Sequence, residues 1–151
     1  MSTADRAYLD QLGGFFATHG MPPVAGRLMA HLLICEPSEQ RADELAAAVG
    51  ASRASVSVMT RLLVQLGLID RRSATGKTLV YRLHPDAWTR LLEDDLQSAT
   101  RLREIAQAGL QLLGKRPPGA RARLQRMRGF YQFLEDETAA SLGRWRRRAH
   151  R

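Results

Sequence analysis

The sequence predicts a mainly α-helical protein that carries one small β-hairpin. Apolar residues recur at spacings of three and four over most of the chain, which is the period of amphipathic helices. Two short helical stretches are separated by Gly50, and two stretches of strand type flank a turn that contains Gly76. With 151 residues, 44% of them hydrophobic, the chain is long enough for one compact domain or for a small domain with long helices.

The central region, residues 42–83, decides the type of fold. Residues 42–49 are strong helix formers that stop at Gly50, and a second helix begins after Ser52, a residue type favoured at the N-cap. This second helix stops at Gly67 and has an apolar stripe formed by Val56, Met59, Leu63 and Leu66. Its opposite face carries hydroxyl and guanidinium groups, which can donate to base edges and phosphates: Arg53, Ser57, Thr60 and Arg61.

A hairpin follows the second helix. Residues 68–71 and 78–83 read as two strands, and Leu79, Tyr81 and Leu83 share one face of the second. Residues 72–77 form the turn, and the tip of the hairpin is basic, through Arg71, Arg72 and Lys77. Helix, turn, helix and hairpin in this order predict a winged helix-turn-helix, in which the second helix enters the major groove of DNA.

Two helices are predicted before this region and two after it. Residues 5–19 carry Tyr8, Leu12, Phe15 and Phe16 at helical spacing, with Gly13 and Gly14 as weak points, and a second helix begins near Pro23. After a break at residues 84–86, one long helix of up to 29 residues, about 44 Å, runs to Leu113. Residues 114–119 break it, and the last helix has a heptad seam formed by Leu124, Met127, Tyr131, Leu134, Thr138, Ser141 and Trp145.

The two long helices predict an antiparallel hairpin that leaves apolar surface uncovered. A second copy of the chain would cover it, so we expect a homodimer built from the first and last helices, with a closed monomeric bundle as the alternative. The expected domains are residues 1–36, N-terminal helices for dimerisation and the start of the head; 37–84, the winged helix-turn-helix; and 85–151, the dimerisation hairpin.

The charge of the chain indicates a polyanionic partner. The formal net charge is +8, and residues 115–151 hold eleven basic and three acidic residues, against seven and four in residues 39–84. The C-terminal cluster either solvates a helix end or contacts phosphates; it comprises Arg144, Arg146, Arg147, Arg148 and Arg151.

Other chemistry has little support in the sequence. Cys35 lies on an apolar stripe, where an inert thiol is favoured over a redox switch. Because it is the one cysteine of the chain, an intramolecular disulfide is excluded. The four histidines lack metal-ligand spacing, and no nucleophile motif or phosphate-binding loop occurs. We therefore expect a protein that is not an enzyme and needs no cofactor or metal. No stretch predicts a membrane span or a signal peptide, so the expected location is the cytoplasm.

The sequence resembles the MarR superfamily of bacterial transcription regulators, in particular its GbsR-like branch and the mycobacterial repressors of lipid and drug efflux pumps. The resemblance spans about residues 12–143 and includes the break from Leu113 to Pro118. It is carried by GRL at 26–28, LLICEP at 32–37, ADELA at 42–46, GASRASVS at 50–57, GLIDR at 67–71 and YRL at 81–83.

The resemblance implies a homodimer that binds a pseudo-palindromic site in double-stranded DNA. By position, the implied DNA-binding residues are Ser52, Arg53, Ser55, Ser57, Thr60 and Arg61 in the recognition helix and Arg72 and Lys77 in the wing. Many members of the family have an Asp-x-Arg pair in the wing, where this chain has TGKT at 75–78, so Lys77 is expected to reach only phosphates.

The resemblance also implies a small amphipathic or aromatic effector, bound between the dimerisation helices and the head. Candidate pocket residues are Phe15, Phe16, Leu32, Trp88, Leu91 and Leu92, although apolar residues at helical spacing more often form a core. The leading hypothesis is a ligand-responsive repressor. A winged-helix module that binds another protein and a basic nucleoid-type protein without sequence preference are the alternatives.

Overall fold

The computed structural model describes residues 1–114 and 118–149. Its elements, in chain order, are α1 (Thr3–Thr18), α2 (Pro23–Ile34), β1 (Gln40–Arg41), α3 (Ala42–Val49), α4 (Arg53–Gln65), β2 (Ile69–Ser73), β3 (Leu79–Leu83), α5 (Ala87–Leu113) and α6 (Pro118–Ala149). The predicted fold class, mainly helical with a small β-wing, is confirmed. Lys115, Arg116 and Pro117, which belong to the predicted break between the long helices, and Arg151 of the C-terminal cluster lie outside the described residues.

The chain divides into two compact units, Met1–Ala87 and Trp88–Arg151. The first unit contains α1 to α4 and the sheet. Its core lies where α2 packs against α1, α3 and α4, and its fully buried side chains include Leu9, Leu28, Met29, Leu45, Leu63 and Leu68. Burial of each such side chain is worth about 1.5–3 kcal/mol, so this core holds the winged head together.

The glycines of α1 and α2 permit a close crossing of these helices. A Cβ atom at Gly26 would lie 2.5 Å from the carbonyl oxygen of Leu12 and 2.8 Å from the Cα of Gly13. A Cβ at Gly13 would lie 2.8 Å from the Cγ of Arg27. Gly13, which is predicted to weaken α1, is therefore also required for the packing of α1 against α2.

The sheet has three antiparallel strands in the order β1-β3-β2. The sequence predicted β2 and β3 but not β1, whose two residues pair with Tyr81 and Val80 of β3. A two-residue strand has no alternation to reveal it, and its first residue, Gln40, is buried and donates from Nε2 to the carbonyl oxygen of Pro37 at 2.8 Å. β1 leads directly into α3, because the backbone N–H of Arg41 donates to Glu44 Oε2 at 2.7 Å and caps the helix.

The second unit consists of α5 and α6, which run antiparallel. Three side-chain contacts show this direction, because the residue numbers increase along α5 as they decrease along α6. The pairs are Glu93 with Arg146, Arg103 with Glu135, and Gln107 with Arg128. Gly109 lies against Leu124, since a Cβ added there would approach the Leu124 side chain to 2.9 Å. Among the residues of this unit that the structure describes, few are buried: Ala99, Ala106, Leu110 and Leu142.

Candidate nucleic-acid interface

Helix α4 begins at a defined N-cap. Gly50, at the C-terminus of α3, adopts a left-handed conformation with φ of 63°, which turns the chain into the next helix. The Oγ of Ser52 accepts a hydrogen bond from the backbone N–H of Ser55 at 3.1 Å. The Ser52 side chain is therefore engaged in capping, and α4 starts with its first side chains held in a fixed direction.

The buried side of α4 fixes which residues face outward. The buried stripe of α4 consists of Val56, Thr60 and Leu63, so the opposite side of the helix faces solvent. The prediction that Thr60 belongs to the exposed polar face is wrong. Thr60 is 2% exposed, and its hydroxyl donates to the carbonyl oxygen of Val56 at 2.8 Å, within the helix. That internal hydrogen bond lets a polar residue occupy a core position.

A polar row remains on the exposed side of α4. Arg53, Ser57, Arg61 and Gln65 are all exposed, and they follow one another at a spacing of four residues. Residues at this spacing lie on one side of a helix, so the row extends for about 18 Å along α4. Arg53 and Arg61 have no ion-pair or hydrogen-bond partner among the described side chains. Such a row has the donors and the length that a major groove accepts.

Hydrogen bonds across its turn hold the wing hairpin together. The backbone N–H of Ala74 donates to the carbonyl oxygen of Thr78 at 2.8 Å, and the Ser73 hydroxyl donates to that of Gly76 at 2.9 Å. Gly76 has a φ of 77°, which a residue with a Cβ rarely adopts. Lys77, at the tip, is exposed as predicted.

The arginines of the wing are not equivalent. Arg72 forms two bonds with Glu39, from Nε to Oε1 at 2.7 Å and from Nη2 to Oε2 at 2.9 Å. Arg82 pairs with Asp70, opposite it in the sheet, at 3.3 Å. Arg71 is exposed and has no hydrogen-bond or ion-pair partner among the described residues. The predicted DNA-binding residues of the wing include Arg72 but not Arg71. In the structure, however, the guanidinium of Arg72 is paired with a carboxylate and that of Arg71 is not.

A groove of about 450 Å³ lies between α4 and the hairpin. The helix side contributes Ser57, Thr60, Arg61, Val64 and Gln65, and the sheet side contributes Arg71, Leu79 and Tyr81. The predicted common face of Leu79 and Tyr81 is confirmed, since both line this groove. Among the described residues that line it, two are arginines and none is acidic.

The predicted effector-pocket residues divide between the two units. In the first unit, Phe16 and Leu32 are buried in the core, whereas Phe15 is 56% exposed, with its ring centroid 4.4 Å from that of His19. In the second unit, Trp88 and Leu92 are exposed and Leu91 is half-buried. A joint pocket for these six residues stays a prediction.

Cys35 ends α2 and is half-buried, beside a cavity of about 510 Å³ that is also lined by Tyr8, His31 and Ile34. Burial raises the pKa of its thiol above the ordinary value of 9.0, and the carboxylates of Glu36 and Glu44 act in the same direction. A raised pKa lowers the thiolate fraction, which supports the interpretation of Cys35 as an unreactive thiol. Within residues 1–114 and 118–149, no three His, Cys, Asp or Glu side chains are placed to hold a metal ion.

Comparison with known proteins identifies the family. The chain is 34% identical over 142 residues to the HTH-type transcriptional regulator MmpR5 of Mycobacterium tuberculosis, a match that covers 93% of this chain and 86% of that protein. The chain belongs to the MarR family of transcriptional regulators. Residues 86–148 also match the profile of MmpR5-like MarR family transcriptional regulators.

A solved structure supports the same membership in the MarR family. The crystal structure of a transcriptional regulator superimposes with a TM-score of 0.81 at 32% identity, covering 95% of this chain and 99% of that one. The predicted resemblance to MarR-type and mycobacterial regulators is confirmed, whereas the GbsR-like branch stays a prediction. No helix in the described part of this MarR-family chain is long and apolar enough to cross a membrane.

Proposed function

We propose that this MarR-family chain is a homodimeric, ligand-responsive repressor that binds a pseudo-palindromic operator in the cytoplasm. The observation that carries the proposal is the exposed row Arg53, Ser57, Arg61 and Gln65 on a capped helix beside a basic wing. Such a row suits the major groove, where the guanidinium fork of Arg53 would bind the O6 and N7 atoms of guanine. Lys77 at the wing tip would contact the flanking phosphates.

Apolar surface on the second unit supports a homodimer. Ile105 and Leu112 are 61% and 74% exposed and lie seven residues apart, on one side of α5. Phe130 and Phe133 are exposed on α6, three residues apart. Large exposed apolar side chains in such number favour an association surface. Phe133→Asp should therefore shift the mass in solution from dimer to monomer, whereas the control Gln125→Asp, at an exposed polar site of α6, should leave the dimer intact.

The dimer accounts for operator symmetry. Two recognition helices must lie about one helical turn of DNA, or 34 Å, apart to reach both half-sites. An effector that binds better to a dimer with another spacing would lower DNA affinity by linkage. The exposure of Phe15, Trp88 and Leu92 supports an apolar or aromatic effector.

The experiment is a mobility-shift titration with DNA from upstream of the coding sequence, in excess unrelated competitor. The expected result is saturable binding that resists the competitor. If Arg53 reads a base, Arg53→Ala should weaken binding by about 1–3 kcal/mol and relax the preference for operator over competitor. The control Arg101→Ala removes the same charge from an exposed site of α5 and should have little effect.

Two other results would replace the proposal. Affinity that is lost equally to any competitor, and that disappears when residues 144–151 are deleted, would indicate a nucleoid-type protein. Absence of binding to any DNA at low salt would favour a winged-helix module for protein partners.

A further inference from the structure

We propose that the groove between α4 and the hairpin holds a phosphate of the DNA backbone through Arg61 and Arg71, and that Glu39 withholds Arg72 from DNA. The inference rests on the proposed DNA binding and assigns the phosphate contacts within it. Two adjacent arginines of one strand would thus have opposite roles.

The register of the sheet separates the two arginines. Side chains alternate between the faces of a strand, and residues directly opposite each other in antiparallel strands share a face. Arg71 lies opposite Tyr81 and Arg72 lies opposite Val80. Tyr81 lines the groove beside α4, so Arg71 faces that helix. Arg72 therefore faces away from α4, on the other side of the sheet.

The groove has the chemistry of a sugar–phosphate site. Arg61 and Arg71 supply two guanidinium groups from its two walls, and Ser57 and Gln65 add neutral hydrogen-bonding groups. Neither arginine has a hydrogen-bond or ion-pair partner in the described part of the chain. The remaining lining includes apolar side chains that suit the deoxyribose: Val64, Leu79 and Tyr81. A volume of about 450 Å³ exceeds the needs of a single phosphate and accommodates a short stretch of backbone.

On the opposite face, Glu39 occupies the position that a phosphate would take on Arg72. Strand β1 pairs with β3 so that Gln40 faces Tyr81, and the preceding residue, Glu39, lies on the same side as Arg72. Both carboxylate oxygens bind the Arg72 guanidinium, at 2.7 and 2.9 Å, and Glu39 is itself half-buried. Because paired donors hold a carboxylate in a fixed geometry, a phosphate would have to displace it and would meet its negative charge. Asp70 pairs with Arg82 on this face through a single, longer contact of 3.3 Å.

The salt dependence of DNA affinity tests the assignment. Each phosphate contact contributes about 0.9 to the slope of log affinity against log salt. Arg71→Gln should reduce the slope by about 0.9 for each protomer bound, and Arg61→Gln should do the same. Between 50 and 200 mM salt, the loss of affinity should then be about three- to fourfold smaller per protomer than for the unmodified protein. Arg72→Gln, the matched control with the same charge change one residue away, should leave the slope unchanged.

Glu39→Gln provides an independent readout. Removal of its charge releases Arg72, so the slope should become steeper and affinity at low salt should rise. Circular dichroism should confirm that each variant is folded, and Arg61→Gln tests the groove from the helix if Arg71→Gln does not fold.

The outcomes separate this inference from the proposed function. Absence of salt-dependent DNA binding by the unmodified protein would overturn both. Binding by the unmodified protein with equal slopes for the Arg71 and Arg72 variants, or a larger loss for Arg72→Gln, would overturn the phosphate site alone.

Discussion

Gly26→Ala should destabilise the head, because the crossing of α1 and α2 leaves no room for a methyl group. The three atoms nearest to the added Cβ lie at 2.5, 2.8 and 2.9 Å and all belong to the backbone of Leu12 and Gly13. Backbone atoms cannot rotate away, so α1 must shift. Overpacking costs about 1–3 kcal/mol, and the better helix propensity of Ala returns about 1 kcal/mol. We expect a net loss of about 1 kcal/mol, and at most about 2 kcal/mol, in the free energy of unfolding.

Gly14→Ala is the matched control. Gly14 is exposed in the same helix region, has an ordinary helical φ, and has no heavy atom within 4 Å of an added Cβ. Its replacement should stabilise the protein by about 0.5–1 kcal/mol. Urea denaturation followed by circular dichroism, at one fixed protein concentration, measures both variants. Equal or greater stability of Gly26→Ala compared with Gly14→Ala would refute the proposed steric role of the crossing.

Three further predictions concern capping, acid sensitivity and thiol reactivity. Ser52→Ala should lower the free energy of unfolding by about 1 kcal/mol, and Ser52→Asp should largely retain it, as urea denaturation would show. Hydrogen bonds from the backbone and hydroxyl of Ser2 lower the pKa of Asp5 below its ordinary value of 3.8. The stability that Asp5 contributes is therefore fully present above pH 3.8 and is lost as the pH falls through the lower, folded value; the stability difference between the protein and its Asp5→Asn variant should shrink over that range. Burial raises the pKa of Cys35, so iodoacetamide should alkylate the native thiol more slowly than the denatured one at about pH 8, and a native rate equal to the denatured rate would contradict this environment.

Periodicity and stop signals were sufficient to predict most helices and the hairpin. The stops at Gly50 and Gly67 have left-handed backbone conformations, with φ of 63° and 71°, so their effect is local and visible in sequence. Ser52 likewise caps α4 through a bond to a residue three positions away. Features of this kind depend on neighbours in the chain, which is why sequence reasoning finds them.

The features that were missed depend on long-range packing. The hydroxyl of Thr60 predicts a place on the polar face, but that hydroxyl bonds within the helix and the side chain joins the core. Gly26 has a role only because another helix crosses there. Arg71 and Arg72 are chemically identical in sequence, and only the register of β2 and a carboxylate 33 residues away distinguish them. The distribution of charge over the candidate interface therefore required the fold.

Selection of binding sites from random duplex DNA would test the proposed repressor most directly. The purified chain is incubated with the pool, bound DNA is amplified and sequenced, and mass is measured by light scattering in parallel. A homodimeric operator-binding protein should enrich a pseudo-palindrome whose half-site centres are about 10 base pairs apart. Recovery of sequences without any common motif, or enrichment of a single half-site by a monomer, would contradict the proposed repressor.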